Sequence, residues 1–143
     1  MHEEQLLATW AERLGFAELS KEPGLVHGWG DMEVAFGVRH ELDGYTVVTQ
    51  NRGHWSTTGH FATLADADAF LLVCFGVIWR ADRGLEDVFP ADPAPRATIV
   101  HADGGYIAEV DGHRAVLARR SDAKRYTYVA GKSLREVADF LLA

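Results

Sequence analysis

The chain has 143 residues, 48% hydrophobic and 24% charged, the balance of an ordinary soluble globule and enough length for one domain spanning 1–143 with a sizeable core. No apolar run reaches the ~18–20 residues of a membrane span, and a single cysteine, Cys74, forms no internal disulfide, which fits a reducing cytoplasm. The net charge of −7 is graded, with −6 over 1–43, −3 over 44–95 and +2 over 96–143; an acidic front disfavours binding to a phosphate backbone and suits a basic protein partner.

The start, Met1-His2-Glu3-Glu4, is acidic where a secretory leader is basic, so export by the general route is not expected and the cytoplasm is the expected location. Residues 2–14 read as an amphipathic helix, with Leu6, Trp10 and Leu14 on one stripe and Gly15 as its stop. Residues 25–28 and 32–40 read as a strand pair across Gly28-Trp29-Gly30-Asp31. Asp43-Gly44 is a favoured two-residue hairpin pair, which joins 32–40 to a strand over 45–50. A further strand is expected around 58–62.

The helix over 64–80 is the most strongly signalled element. Thr63 is its N-cap, Asp66 occupies the capping-box position, and Leu64, Ala67, Leu71, Cys74 and Ile78 form an apolar stripe widened by Phe70, Val73 and Val77. Pro90, Pro93 and Pro95 mark a connection between two halves, after which 97–101, 105–110, 113–119 and 125–130 read as strands. Ser133 and Glu136 make a Ser-x-x-Glu box for a final helix. The fold expected is α+β, a mostly antiparallel sheet of about six to eight strands with three helices.

The two halves carry a similar order of signals. Asp43-Gly44, an apolar strand, a polar hairpin and a helix ending Phe70-Leu71-Leu72 are answered by Asp111-Gly112, a strand, a polar hairpin and a helix ending Phe140-Leu141-Leu142. This suggests a duplicated strand–strand–helix module and favours a binding scaffold over an enzyme built around one site.

Catalytic and cofactor motifs are missing. The chain has no phosphate-binding loop, no dinucleotide fingerprint, no His-Glu-x-x-His and no nucleophile elbow, so no enzyme activity and no cofactor are expected. Among the seven histidines, His54 and His60 flank a hairpin segment, and Asp31 or Glu33 could supply a third ligand, with His54, His60 and Asp31 as the set for a metal-dependent hydrolase; but two imidazoles without a firm third ligand leave a zinc site incomplete, so no metal is expected. Cys74, on an apolar helix stripe, reads as a buried inert thiol. The basic run Arg114, Arg119, Arg120, Lys124 and Arg125, beside Tyr126 and Tyr128, straddles the last predicted hairpin and reads as a solvated strand face rather than a nucleic-acid platform, so neither nucleic acid nor membrane is an expected partner. Trp10 and Trp79 read as core. Trp29 in a glycine-rich turn and Trp55 in a polar hairpin are candidate interface anchors, because aromatics left on loops serve that purpose.

The stretch from Gly44 to Val88 carries a resemblance. The strand Tyr45–Thr49, then Asn51-Arg52-Gly53, Phe61-Ala62-Thr63, and a helix with Ala69-Phe70-Leu71, Phe75-Gly76, Ile78 and Arg80 before Gly84-Leu85 resemble the immunity protein 61 family. Asn51 departs from the acidic residue expected before Arg-Gly. That family includes the immunity factor that neutralises the tuberculosis necrotizing toxin, an NAD-glycohydrolase. The resemblance implies a cytosolic inhibitor that binds a polymorphic toxin domain one-to-one and occludes its substrate cleft; a secretion chaperone is the other non-enzymatic reading. On such an inhibitor Trp29, Arg52, His54 and Trp55 are the expected contacts, with Asp31, Glu33, Glu41 and Asp43 supplying acidic complementarity and faster association.

Overall fold

A computed structural model describes residues 3–19 and 24–143. The elements run α1 (Glu3–Arg13), β1 (Ala17–Glu18), β2 (Leu25–Gly30), β3 (Val34–Glu41), β4 (Gly44–Asn51), β5 (His54–Phe61), α2 (Leu64–Asp82), β6 (Thr98–Ala102), β7 (Gly105–Val110), β8 (His113–Leu117), α3 (Arg120–Val129) and α4 (Leu134–Leu142). The strands form one antiparallel sheet in the order β1-β2-β3-β4-β5-β8-β7-β6. The class is the α+β expected, with eight strands and four helices among the described residues.

Strand alternation divides the sheet into two faces. Val38, Val47, Gly59 and Leu117 are cross-strand neighbours in one row, and Val38, Val47 and Leu117 are fully buried with Phe61, Phe70, Phe75 and Trp10 in the core under the helices. The next row, Leu25-Arg39-Thr46-His60-Val116-Ile107-Val100, crosses almost the whole sheet on the opposite, outer face. Helix α2 is the keystone. It touches β3, β4 and β5 on one side and α1, α3 and α4 on the others. Gly76 is the point of closest approach, where Leu141 of α4 lies so near that a Cβ would meet its Cδ1.

Helix starts follow the signals in the sequence. Ser133 and Glu136 make both bonds of the capping box, with the Glu136 N–H donating to Ser133 Oγ at 3.1 Å and the Ser133 N–H donating to Glu136 Oε1 at 3.0 Å. Thr63 caps α2 through the Asp66 N–H at 3.1 Å. The Asp66 carboxylate does not complete a box. It is buried and accepts from the Tyr126 hydroxyl at 3.0 Å and the Gly131 N–H at 3.1 Å, with His113 Nδ1 also at 3.1 Å. One aspartate thus ties α2 to β8, α3 and the α3–α4 turn. Burial and the adjacent carboxylate push the Tyr126 phenol well above its ordinary range, which keeps it a donor.

Three expectations are corrected. Residues 125–130 are not a strand; they belong to α3 and its C-terminal boundary, so of the basic cluster Arg120, Lys124 and Arg125 lie on a helix, Arg119 is its N-cap and Arg114 stands on β8, with no hairpin between them. Arg-Tyr-Thr-Tyr-Val alternates like a strand, yet Ala123, Tyr126, Thr127 and Ala130 also share one helical stripe, and Arg119 at the N-cap makes no side-chain cap bond that could have marked a start. The two halves therefore diverge after their shared strand signal, since β5 follows β4 in the first and α3 follows β8 in the second. The segment Gly28-Trp29-Gly30 is strand, and the turn sits at Asp31–Glu33. The β3–β4 hairpin closes at Glu41↔Gly44 with Leu42-Asp43 at its tip, one residue earlier than Asp43-Gly44. Gly44 is instead required by proximity, because a Cβ there would collide with the Phe61 carbonyl oxygen.

Candidate partner-binding surface

The residues singled out in the sequence fall into three places. Asp31, Glu33, Arg52 and His54 lie together at one end of the sheet, where the β2–β3 and β4–β5 turns are neighbours. The Arg52 N–H donates to the Glu33 carbonyl at 3.0 Å, and Asp31 Oδ1 accepts from the N–H groups of Glu33 at 2.8 Å and Val34 at 2.9 Å. These two bonds, Val34's first, hold the Asp31 carboxyl below the usual carboxylate range and fix an exposed negative charge. Arg52 and Gly53 both take positive φ, 50° and 81°, the signature of a type I′ hairpin. Met32, at 99% relative exposure, tops the neighbouring turn.

Glu41 and Asp43 lie at the opposite end, across the eight residues of β3, a span of ~25 Å. There Leu42 is fully exposed and Asp43 Oδ1 stands 3.4 Å from His60 Nε2. His54 and His60 occupy the two ends of the same strand, with a register shift between them, and Asp31 is near the first only. The structure does not bring His54, His60 and Asp31 together, and among the described residues no group of three His, Cys, Asp or Glu side chains could hold a metal ion.

Trp29 is a core residue. It is 3% exposed in β2, its ring meeting Phe75 edge-on with centroids 6.2 Å apart, so it offers nothing to a partner. The two glycines beside it suggest a turn, whereas their role is to let the outer face of β2 lie close to Leu19, Leu25 and Ala35. Trp55 behaves differently. It is half-buried on the outer face, and the guanidinium of Arg39 sits 5.5 Å from its ring centroid. Arg39 was not identified as a site residue; only the cross-strand register reveals that it faces the same side as Trp55.

One more feature was invisible in the sequence. Beyond Gly59 the sheet parts from α3, leaving a cleft of about 320 Å³ between the first half of β5, α2 and the start of α3. Val73, Val77 and Ile78 form its apolar floor, and Arg119, Asp122 and Arg125 line the α3 side. Arg125 Nη1 is 3.1 Å from Asp122 and Nη2 is 2.9 Å from Asp87, so one guanidinium bridges both nearby carboxylates. Burial raises the Asp122 pKa against the pull of Arg125. Cys74 borders the same cleft, and desolvation drives its thiol far above the ordinary range, leaving it protonated and unreactive.

Comparison with known proteins gives this surface its context. The family model for Immunity protein 61 matches residues 10–142. The chain belongs to the immunity protein 61 family. The match extends the resemblance seen between Gly44 and Val88 to nearly the whole domain. Among solved structures, Rv3902c from M. tuberculosis is similar in fold, with a TM-score of 0.71 and 16% sequence identity over 96% of this chain and 87% of the other. No curated protein matches the sequence. Among the described residues no helix is long and apolar enough to cross a membrane. An immunity-type protein acts by binding a toxin, so for this family member the exposed edges and faces of the sheet carry the functional question.

Proposed function

We propose that this member of the immunity protein 61 family is a cytosolic antitoxin that binds a secreted toxin domain one-to-one and occludes its active site, the toxin being an NAD-glycohydrolase. The observation that carries the reading is the family match over residues 10–142. Its physical support is a well-filled core beneath a sheet whose outer face and two ends are left to solvent, the form of a rigid inhibitor that needs little reordering on binding.

The contact surface proposed is the end of the sheet carrying Asp31, Glu33, Arg52 and His54, continued onto the outer face by Trp55. Trp and Arg are the side chains most often found as interface anchors, and here each stands on a hairpin fixed by main-chain bonds. Glu41 and Asp43, at the far end, contribute to the long-range negative field that speeds encounter with a basic partner rather than to the same contact.

Titrating the purified protein into an NAD-cleavage assay of the toxin domain encoded beside it tests the reading. Inhibition saturating at one equivalent is the expected result. A stable complex that leaves NAD cleavage intact would discard occlusion and favour a chaperone. The absence of both complex and inhibition would remove the antitoxin reading.

A further inference from the structure

Strand β5 is longer than its partnership with β8. It pairs there only through Gly59, His60 and Phe61, opposite Leu117, Val116 and Ala115, extended one step by the Ala118 N–H donating to the Thr58 carbonyl at 3.0 Å. Beyond that point β8 has ended and the chain has turned into α3. Residues 54–57 therefore have β4 on one side and the open cleft on the other. In an antiparallel ladder closed by a two-residue turn, the closing pair and every second pair exchange main-chain bonds. With Asn51↔His54 as the closing pair, His54 and Ser56 direct their N–H and C=O groups to β4, whereas Trp55 and Thr57 direct theirs outward. Those outward groups have no hydrogen bond among the described residues. This is a sheet edge in the middle of the sheet, a ready template for another strand.

The surroundings specify what fits. A strand added to residues 54–57 would alternate its side chains, one set beside Trp55 on the outer face and the other over Val73 and Val77 in the cleft. At the mouth stands the exposed Arg119, whose guanidinium makes no hydrogen bond or ion pair among the described residues, with Arg52 exposed on the hairpin tip. The two carboxylates on that side, Asp87 and Asp122, are already held by Arg125. Arg119 is thus a guanidinium on the cleft with no carboxylate within ion-pair distance among the described residues, although the protein as a whole carries −7.

We infer that the open half of β5 is a strand-addition slot that takes an extended segment of the toxin domain, one bearing an apolar side chain against Trp55 or the cleft floor and an acidic side chain opposite Arg119. Main-chain bonds would give the attachment and the alternating side chains the selectivity, as in other strand-addition complexes. The inference rests on the antitoxin reading and sharpens it by naming the contact and the chemistry of the partner segment.

Thr57→Pro tests it, because proline removes one outward N–H and no bond to β4, a substitution that sheet edges tolerate. The probe is the toxin domain encoded beside the protein. The expected result is binding at least ten-fold weaker with a melting temperature within about 2 °C of the unmodified protein. Amide hydrogen exchange on the unmodified protein supplies a readout independent of that variant's folding: the Trp55 and Thr57 amides should exchange fast in the free protein and at least ten-fold more slowly in the complex. If the complex forms while those two amides stay fast, or if Thr57→Pro folds and binds equally well, the slot is refuted and the antitoxin reading stands. If the unmodified protein neither binds nor inhibits the toxin domain, the antitoxin reading itself fails and the slot falls with it as a toxin site.

Discussion

The Asp66 carboxylate offers the sharpest test of how the two halves are held together. It is 4% exposed and accepts from Tyr126, from the main chain at Gly131 and, through the appropriate tautomer, from His113, so four segments of the chain meet on two oxygens. Asp66→Ala removes the acceptor and leaves the Tyr126 hydroxyl and the Gly131 N–H without their partner. Each buried unsatisfied group costs about 1–3 kcal/mol, which gives a loss of about 4 kcal/mol once the relieved desolvation of the carboxylate is set against it. Asp66→Asn keeps one acceptor oxygen, and the phenol and imidazole can both rearrange, so its loss should be about 2 kcal/mol. A domain of this size changes its melting temperature by roughly 2–4 °C per kcal/mol. Thermal unfolding followed by circular dichroism should therefore fall by about 8–16 °C for Asp66→Ala and about 4–8 °C for Asp66→Asn. The α2 start should survive, because its cap uses the Asp66 main-chain N–H. A second measurement checks the cause: Tyr126→Phe should be destabilising in the native background and nearly neutral in the Asp66→Ala background, where the hydroxyl has nothing left to bond. A drop of under 2 °C for Asp66→Ala would refute the reasoning, as would equal costs for Tyr126→Phe in the two backgrounds.

Three further outcomes are expected. Trp55→Ala should weaken toxin binding by about 30-fold, or ~2 kcal/mol, with little loss of stability, read by calorimetric titration beside a melting curve; unchanged affinity with a lowered melting temperature would make Trp55 a packing residue of the outer face. Gly76→Ala should destabilise by about 1–3 kcal/mol, because its methyl meets Leu141 across the α2–α4 contact, and Leu141→Ala should be less costly in that background than alone; urea unfolding of the four proteins decides it. The Ser133 N–H and hydroxyl hold the Glu136 carboxyl below its ordinary range, so folding favours its ionised form. That stability is present above the unfolded value near pH ~4.3 and is lost as pH falls through the lower folded value. Glu136→Gln should accordingly flatten the acid side of the stability profile and leave its alkaline side unchanged.

The strongest elements were legible from local chemistry. The apolar stripe of α2, the Thr63 and Ser133 caps and the alternating strands needed nothing beyond neighbouring residues, because period and capping are local properties of the chain. The antitoxin family was legible in the stretch from Gly44 to Val88 for a related reason, since strand, turn and helix follow one another there without interruption. Among the candidate contact residues, Asp31, Glu33, Arg52 and His54 could be chosen as polar turn residues, yet nothing local distinguished the end they share from the end that holds Glu41 and Asp43.

The rest depended on partners distant in sequence. Residues 125–130 satisfy both a two-residue and a 3.6-residue period, and the choice of helix coincides with the Tyr126 hydroxyl reaching Asp66, sixty positions away. Trp29 carried the composition of a turn but lies under Phe75 because strand register turns its ring inward. The pairing of Arg39 with Trp55 likewise follows from register. The open half of β5 exists only because β8 ends at Leu117 and α3 departs, a mismatch between two strand lengths that no single segment records. Local sequence determined which elements form and which face of each is apolar; long-range packing determined which polar groups were consumed inside the fold and which edges were left for a partner.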